Sequence, residues 1–213
     1  MKTKNKVVLL ALCMVALIAV SVLGTMAYLT STDTVTNTFT VGNVSIKLDE
    51  KKVNTDGTVD NSATGRVKEN SYKLLPGHTY TKDPMVTVLK GSESSYIKMT
   101  VTFSKADELD TIFGGADLTK IFNNYDKDTW TYKGNTEDTV NKTRTYEFWY
   151  KEPVAASDAD VPLKPLFESF TVPGSITNTQ LAKLEGMKIT VNAYAIQADG
   201  FTTPELAWAA YNG

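Results

Sequence analysis

The sequence predicts a mainly β protein, an antiparallel β-sandwich of jelly-roll type with short helices in the connections. About eight short segments alternate apolar and polar residues, which is the pattern of strands with one buried face. Turn-forming pairs such as Pro76-Gly77 and Pro173-Gly174 separate several of these segments. Strands and long helices do not alternate along the chain, as they would in a parallel βαβ protein, so an antiparallel sandwich fits best.

Residues 1–27 predict a secretory signal peptide. Three lysines precede an apolar run of 17 residues, 7–23, and small residues follow this run. Thr25 and Ala27 suit the −3 and −1 positions of a signal peptidase substrate, so we expect cleavage before Tyr28. An uncleaved membrane anchor is the alternative, because the run reaches the lower limit of about 17 residues for a spanning helix.

The rest of the chain is predicted to be a detachable segment, residues 28–41, and a single domain, residues 42–213. This length suffices for a core without disulfides or metals. Cys13, the one cysteine, lies in the predicted signal. The whole chain has a net charge of −2 and lacks a basic cluster, which argues against nucleic acid and anionic lipid as partners.

The first strand pattern begins at Phe39. A bulge at Gly42-Asn43 would bring Phe39 and Val41 onto the same face as the later apolar residues of this strand, namely Val44, Ile46 and Leu48. The strongest strand pattern places alternate apolar residues in the sandwich interior, namely Ile97, Met99, Val101 and Phe103. Ile189 and Val191, in a strand over 187–198, are expected to face the same core.

The remaining elements follow from local signals. Residues 49–70 are charged and polar, and they predict an exposed hairpin or loop. Other strands are predicted at 85–89, 130–132, 144–150 and 167–172, with loops at 133–142 and 153–165. Helices are predicted at 105–122 with a break at Gly114-Gly115, at 177–184, and from Thr203-Pro204-Glu205 onwards.

The sequence contains no convincing catalytic constellation. His78 is the one histidine, and it lies in a predicted turn. A serine hydrolase would need a nucleophile elbow, a cysteine protease a thiol, and a zinc hydrolase several histidine or cysteine ligands. We therefore expect neither an enzyme nor a bound cofactor.

The sequence also contains a weak candidate calcium site and a weak candidate sugar-binding surface, and each has an ordinary structural explanation. Asn54, Asp56 and Asp60 carry alternating oxygen ligands for Ca²⁺, although an Asp-Gly hairpin turn explains them as well. The aromatic residues Trp130, Trp149 and Tyr150 are candidates for a sugar-stacking platform, although such residues more often pack in the core.

Three blocks of sequence carry a resemblance to a known family: GTMAYLTSTDTVTNTFTVGNVSIKLDE (24–50), LLPGHTYTKDPMVTV (74–88) and FTVPGSITNTQLAKLEGMKITVNAYAIQADGF (170–201). The first combines a Gly-Thr-x-Ala-aromatic exit, a Thr/Asp-rich spacer and Asn-Thr-Phe-x-x-Gly-x-Val. These blocks resemble the TasA/camelysin family of exported Gram-positive proteins, which a SipW-type signal peptidase cleaves. Residues 105–160 carry no such likeness.

The resemblance implies a jelly-roll domain and an extracellular biofilm fibre, in which the N-terminal segment of one subunit completes the sheet of the next. Camelysin members are labelled metallopeptidases, but this chain has no HExxH motif and a single histidine. The resemblance therefore implies a structural protein, with other copies of itself, matrix or assembly proteins and cell-wall polysaccharide as partners. A surface binding module or adhesin that does not polymerise is the alternative, and a camelysin-like secreted metallopeptidase is a second one.

Residues 28–41 also have the pattern of a donor strand. Four apolar residues share one parity and are the expected anchors, namely Leu29, Val35, Phe39 and Val41. Ser31, Asp33 and Asn37 make the same face too polar to fold reliably within its own subunit. A disordered spacer between the domain and the membrane is the alternative.

Overall fold

The computed structural model describes residues 3–27, 42–115 and 117–211 of the 213-residue chain. The chain divides into two compact units, residues 1–41 and 42–213, which are described separately. Helix α1, Thr3–Ala27, forms the described part of the first unit. Among the described residues, no helix combines the length and the hydropathy needed to cross a membrane.

The second unit is mainly β. Its ten strands are β1 (Ile46–Asp49), β2 (Thr79–Thr81), β3 (Met85–Val88), β4 (Ser95–Ser104), β5 (Phe122–Asn123), β6 (Trp130–Asp138), β7 (Thr143–Tyr150), β8 (Val161–Pro162), β9 (Ser169–Thr171) and β10 (Ile189–Gln197). Its four short helices are α2 (Ala106–Phe113), α3 (Leu118–Ile121), α4 (Asn178–Lys183) and α5 (Pro204–Tyr211).

The strands form three antiparallel sheets. A four-stranded sheet has the order β10-β4-β7-β6, and two three-stranded sheets have the orders β1-β3-β8 and β2-β9-β5. Every strand pair in these sheets is antiparallel. The predicted mainly β class with short helices is confirmed.

Strand β4 supplies the centre of the core. The side chains predicted to face inward are at most 1% exposed: Ile97, Met99, Val101 and Phe103. Val101 pairs with Val191 on β10 and with Tyr146 on β7, so three strands contribute to the same layer. Ile189 and Val191 pack against this core as predicted, but they stay half-buried because β10 lies at the edge of its sheet.

A pair of substitutions tests this alternation. Val101→Ala is expected to lower the free energy of unfolding by about 1–3 kcal/mol, because it removes two buried methyl groups and leaves a cavity. Thr100→Ala on the opposite face is expected to change it by less than about 0.5 kcal/mol. Urea unfolding of the two variants measures the difference. Equal losses would mean that the two faces of β4 are equally important for stability.

Several predicted boundaries are wrong. Strand β6 continues to Asp138, because a bulge between Tyr132 and Gly134 lets it keep pairing with β7, so the predicted loop 133–142 is mostly strand. The strand expected at 167–172 shortens to β9, and the loop at 153–165 contains the short strand β8.

The segment 49–70, predicted to be exposed, is partly buried. Val53 is 4% exposed and forms an isolated bridge with Val59. Gly57 has a φ of +88°, and a Cβ atom there would lie 2.6 Å from Cδ1 of Tyr80. The segment therefore closes tightly over the core, because a glycine lets the turn approach the Tyr80 ring.

The helix predictions are confirmed. Helix α2 ends at Gly114, whose φ is +76°, and α3 follows the predicted glycine break. Thr177 caps α4 in a capping box with Gln180. Helix α5 packs Trp208 onto the outer face of the four-stranded sheet, where Lys98 Nζ lies 4.6 Å from its ring centroid.

Candidate functional site

A groove of about 1140 Å³ lies between β1 and β10, two strands that belong to different sheets. Cα atoms of the two strands approach within 8 Å of each other. Residues 67–72 form part of one wall, and the continuous stretch 184–194 forms another. The site is therefore an elongated cleft between two sheets.

The groove follows the backbone edge of β10. Six consecutive residues of this strand, 189–194, line it, although successive side chains of a strand point to opposite faces. β10 pairs with β4 on one side and β1 pairs with β3 on one side. In the ranges the structure describes, no strand pairs with their other edges, which therefore present unpaired N–H and C=O groups to the groove.

The groove also exposes part of the hydrophobic core. Its apolar lining is half-buried and includes Ile46, Leu48, Tyr72, Leu74, Leu181, Met187, Ile189, Val191 and Ala193. Apolar surface left in contact with water favours any partner that covers it. Within the described ranges, the site thus combines a strand edge that has no pairing partner with an apolar wall that no other segment covers.

A buried ionic cluster lies at one end of the groove. Arg66 Nε donates to Asp49 Oδ1 at 2.6 Å, and Arg66 Nη1 donates to Asp83 Oδ2 at 2.9 Å. The two carboxylates are 2% and 3% exposed. Burial by itself would raise the pKa of Asp49, but hydrogen bonds from Lys47 and Arg66 and their positive charges outweigh it and lower the pKa. The cluster pins loop residue Arg66 to the ends of β1 and β3.

Most residues of the predicted cleavage site and donor strand lie outside the described residues. Thr25 and Ala27 belong to the backbone of α1. Tyr28 and the four donor-strand anchors lie outside the described residues: Leu29, Val35, Phe39 and Val41.

The three aromatic residues of the predicted sugar platform do not form one surface. Trp130 is 1% exposed and its Nε1 donates to the carbonyl oxygen of Lys164 at 3.1 Å. Trp149 and Tyr150 are consecutive in β7 and therefore point to opposite faces. Lys133 Nζ lies 4.1 Å from the ring centroid of Trp149, so a lysine already occupies the position of a stacked sugar.

The predicted calcium ligands lie in local turns. Asp56 Oδ1 accepts hydrogen bonds from the backbone and hydroxyl of Thr58, which lower the pKa of Asp56. Asp60 Oδ1 likewise accepts hydrogen bonds from the backbone and hydroxyl of Ser62. Asn54 Nδ2 donates to the hydroxyl of Thr58. No group of three His, Cys, Asp or Glu side chains placed to hold a metal ion occurs among the described residues, and His78 is exposed in its turn.

Sequence reasoning missed the ionic cluster and the groove. The cluster joins Asp49, Arg66 and Asp83, which are far apart in the chain, so no local motif reveals it. A carboxylate at the end of a predicted strand, as at Asp49, was the one available signal. The groove depends on which strands remain unpaired, and that is decided by the tertiary arrangement.

The chain was compared with protein-family models, curated proteins and solved structures, and no match was found in any of the three.

Proposed function

We propose that this protein is an exported structural subunit that assembles into an extracellular fibre by donor-strand exchange. Residues 28–41 of one copy would add along the edge of β10, in the groove of the next. In this proposal the two faces around the groove belong to a sandwich of jelly-roll type that the added strand completes.

The observation that carries the proposal is the edge of β10 that pairs with no described strand, beside an apolar wall that the described residues leave uncovered. A strand added there would gain main-chain hydrogen bonds, while alternate side chains would contact residues such as Ile189 and Val191. Four of the seven residues on one face of the donor sequence are apolar, so this face matches the apolar wall in part.

Length also supports this occupant. If fully extended, fourteen residues would span about 46 Å, at about 3.3 Å per residue, and the nine-residue strand β10 spans about 30 Å. The segment therefore has enough length to follow the whole edge and still link two subunits. It contains a single charged side chain, Asp33, which lies on the same face as the anchors.

A charged residue in the groove tests the proposal. Val191→Arg is expected to abolish fibres, because the added strand would bury an unpaired guanidinium. Gln197→Arg is the matched control, since this exposed residue lies on the same strand beyond the groove and should leave assembly unchanged. Electron microscopy and sedimentation of the processed protein give the readout, and urea unfolding establishes that both variants fold.

Equal fibre yield from Val191→Arg and the unmodified chain would show that the groove does not take part in assembly. A processed chain that stays monomeric under all conditions would contradict the fibre function itself.

A further inference from the structure

Glu50 connects a buried lysine to an asparagine amide. Lys82 Nζ donates to Glu50 Oε2 at 2.7 Å, and Asn70 Nδ2 donates to Glu50 Oε1 at 3.0 Å. The amine and the amide therefore hold the two oxygens of one carboxylate. All three residues line the same end of the groove, but they belong to separate parts of the chain.

The environment of this trio is unusual for charged groups. The side chains of Lys82 and Glu50 are each 8% exposed, and burial of such a pair is costly unless further bonds hold it. The ring of Tyr72 lies nearby, and burial, together with the negative charges of Glu50 and Asp83, raises the pKa of its hydroxyl well above the usual range. Water is largely excluded from the lysine and the carboxylate.

Three hydrogen bonds fix the orientation of the Asn70 amide beside Glu50. The backbone N–H of Val53 donates to Oδ1 at 3.0 Å, and Nδ2 also donates to the carbonyl oxygen of Lys51 at 2.8 Å. A donor on Oδ1 stabilises the negative charge that develops there when a nucleophile adds to Cγ. Acceptors on Nδ2 orient the nitrogen that must leave.

We propose that Lys82 and Asn70 form an intramolecular isopeptide bond, with Glu50 as the proton carrier. Glu50 takes a proton from the ammonium of Lys82, and the free amine attacks Cγ of Asn70. The Nζ–Cγ bond forms, and Oδ1 carries the negative charge beside the N–H of Val53. Glu50 then passes a proton to Nδ2 and receives one from Nζ.

The Cγ–Nδ2 bond breaks as the charge on Oδ1 returns to a carbonyl. The nitrogen leaves with the surplus proton as ammonium, and Glu50 returns to its ionised form. One lysine ammonium and one amide thus give one secondary amide and one ammonium ion, with no oxidant or other reactant. The bond would link the wall segment of the groove to the end of β2, in a chain whose single cysteine is Cys13.

Intact-mass measurement of the purified full-length chain tests this bond. The mass is expected to fall below the sequence value by one ammonia, about 17 Da. After trypsin digestion, residues 69–73 should appear joined to residues 74–90 as one branched peptide, because trypsin does not cleave after an acylated Lys82.

Two variants and one control decide the outcome. Lys82→Arg keeps the positive charge beside Glu50, and Glu50→Gln keeps the shape but removes the proton carrier, so both should show the full sequence mass. Lys68→Arg, at an exposed lysine of the same segment, should retain the loss. Circular dichroism and urea unfolding establish that each variant is folded.

An unmodified mass for the folded wild-type chain would overturn the proposal. A mass loss that persists in Lys82→Arg would also overturn it, since Asn70-Ser71 would then have cyclised to a succinimide without the lysine. The isopeptide does not depend on fibre formation, so either proposal can fail while the other holds.

Discussion

Under the proposed donor-strand assembly, a chain that begins at Gly42 is expected to fold and to remain monomeric under conditions in which a chain that begins at Tyr28 would form fibres. Residues 42–213 form a compact unit of their own, so removing the preceding segment leaves the core intact. The groove remains, but no donor is available to fill it. Electron microscopy and analytical ultracentrifugation of the two chains measure the difference.

A synthetic peptide of residues 28–41 extends this experiment. Added to the full processed chain, it should shorten the fibres, because a peptide in the groove of a terminal subunit prevents the next addition. A control peptide with Phe39→Asp and Val41→Asp should have no effect, since its anchors would bury charge. Polymerisation of the Gly42 chain at the rate of the longer chain would contradict the donor-strand mechanism.

Replacing Arg66 by methionine is expected to cost about 3–5 kcal/mol of unfolding free energy at neutral pH. The guanidinium contacts Asp49 and Asp83, whose side chains are 2% and 3% exposed, and its loss leaves two carboxylates buried with fewer partners. Urea unfolding at pH 7 measures the change. Lys47→Met removes a half-exposed partner of Asp49 and should cost no more than about 1 kcal/mol.

The loss of unfolding free energy caused by Arg66→Met should become smaller as the pH falls. In the wild-type chain the pKa of Asp49 is lowered in the folded state, so its stabilising contribution is present above the unfolded pKa of about 3.9 and is lost as the pH falls through the folded value. The variant lacks the hydrogen bond and the charge of Arg66, so the pKa of Asp49 is higher there than in the wild-type chain and protonation at low pH relieves part of the destabilisation. The difference between the two proteins should therefore shrink below about pH 4. A constant difference from pH 7 to pH 3 would contradict this account.

The elements that the sequence predicted well are those specified by local patterns. The alternation from Ile97 to Phe103 placed the inner face of β4 correctly, because successive strand residues must point to opposite faces. Gly114 and the Thr177 capping box positioned helix ends for equally local reasons. Strand β6 was predicted too short, because its exposed half lacks an apolar side and is maintained by pairing with β7.

The candidate site could not be predicted from local patterns, because it depends on contacts between distant parts of the chain. Strands β1 and β10 are more than a hundred residues apart, and neither sequence indicates that one edge stays unpaired. Glu50, Asn70 and Lys82 are also separated along the chain. They meet only because the segment 51–81 folds back on itself. Local sequence supplied the chemical groups, and the tertiary arrangement brought them together.

The two edge strands of the four-stranded sheet, β10 and β6, differ in how readily they can pair with a strand from another chain. Strand β6 forms the edge opposite β10, and it carries a bulge, a glycine at φ +132° and charged residues such as Lys133 and Glu137. Charges and bulges of this kind discourage edge-to-edge pairing. Under the proposed assembly each subunit would then have one acceptor and one donor. Growth would proceed as a directional, unbranched thread, and lateral stacking into amyloid-like ribbons would be suppressed.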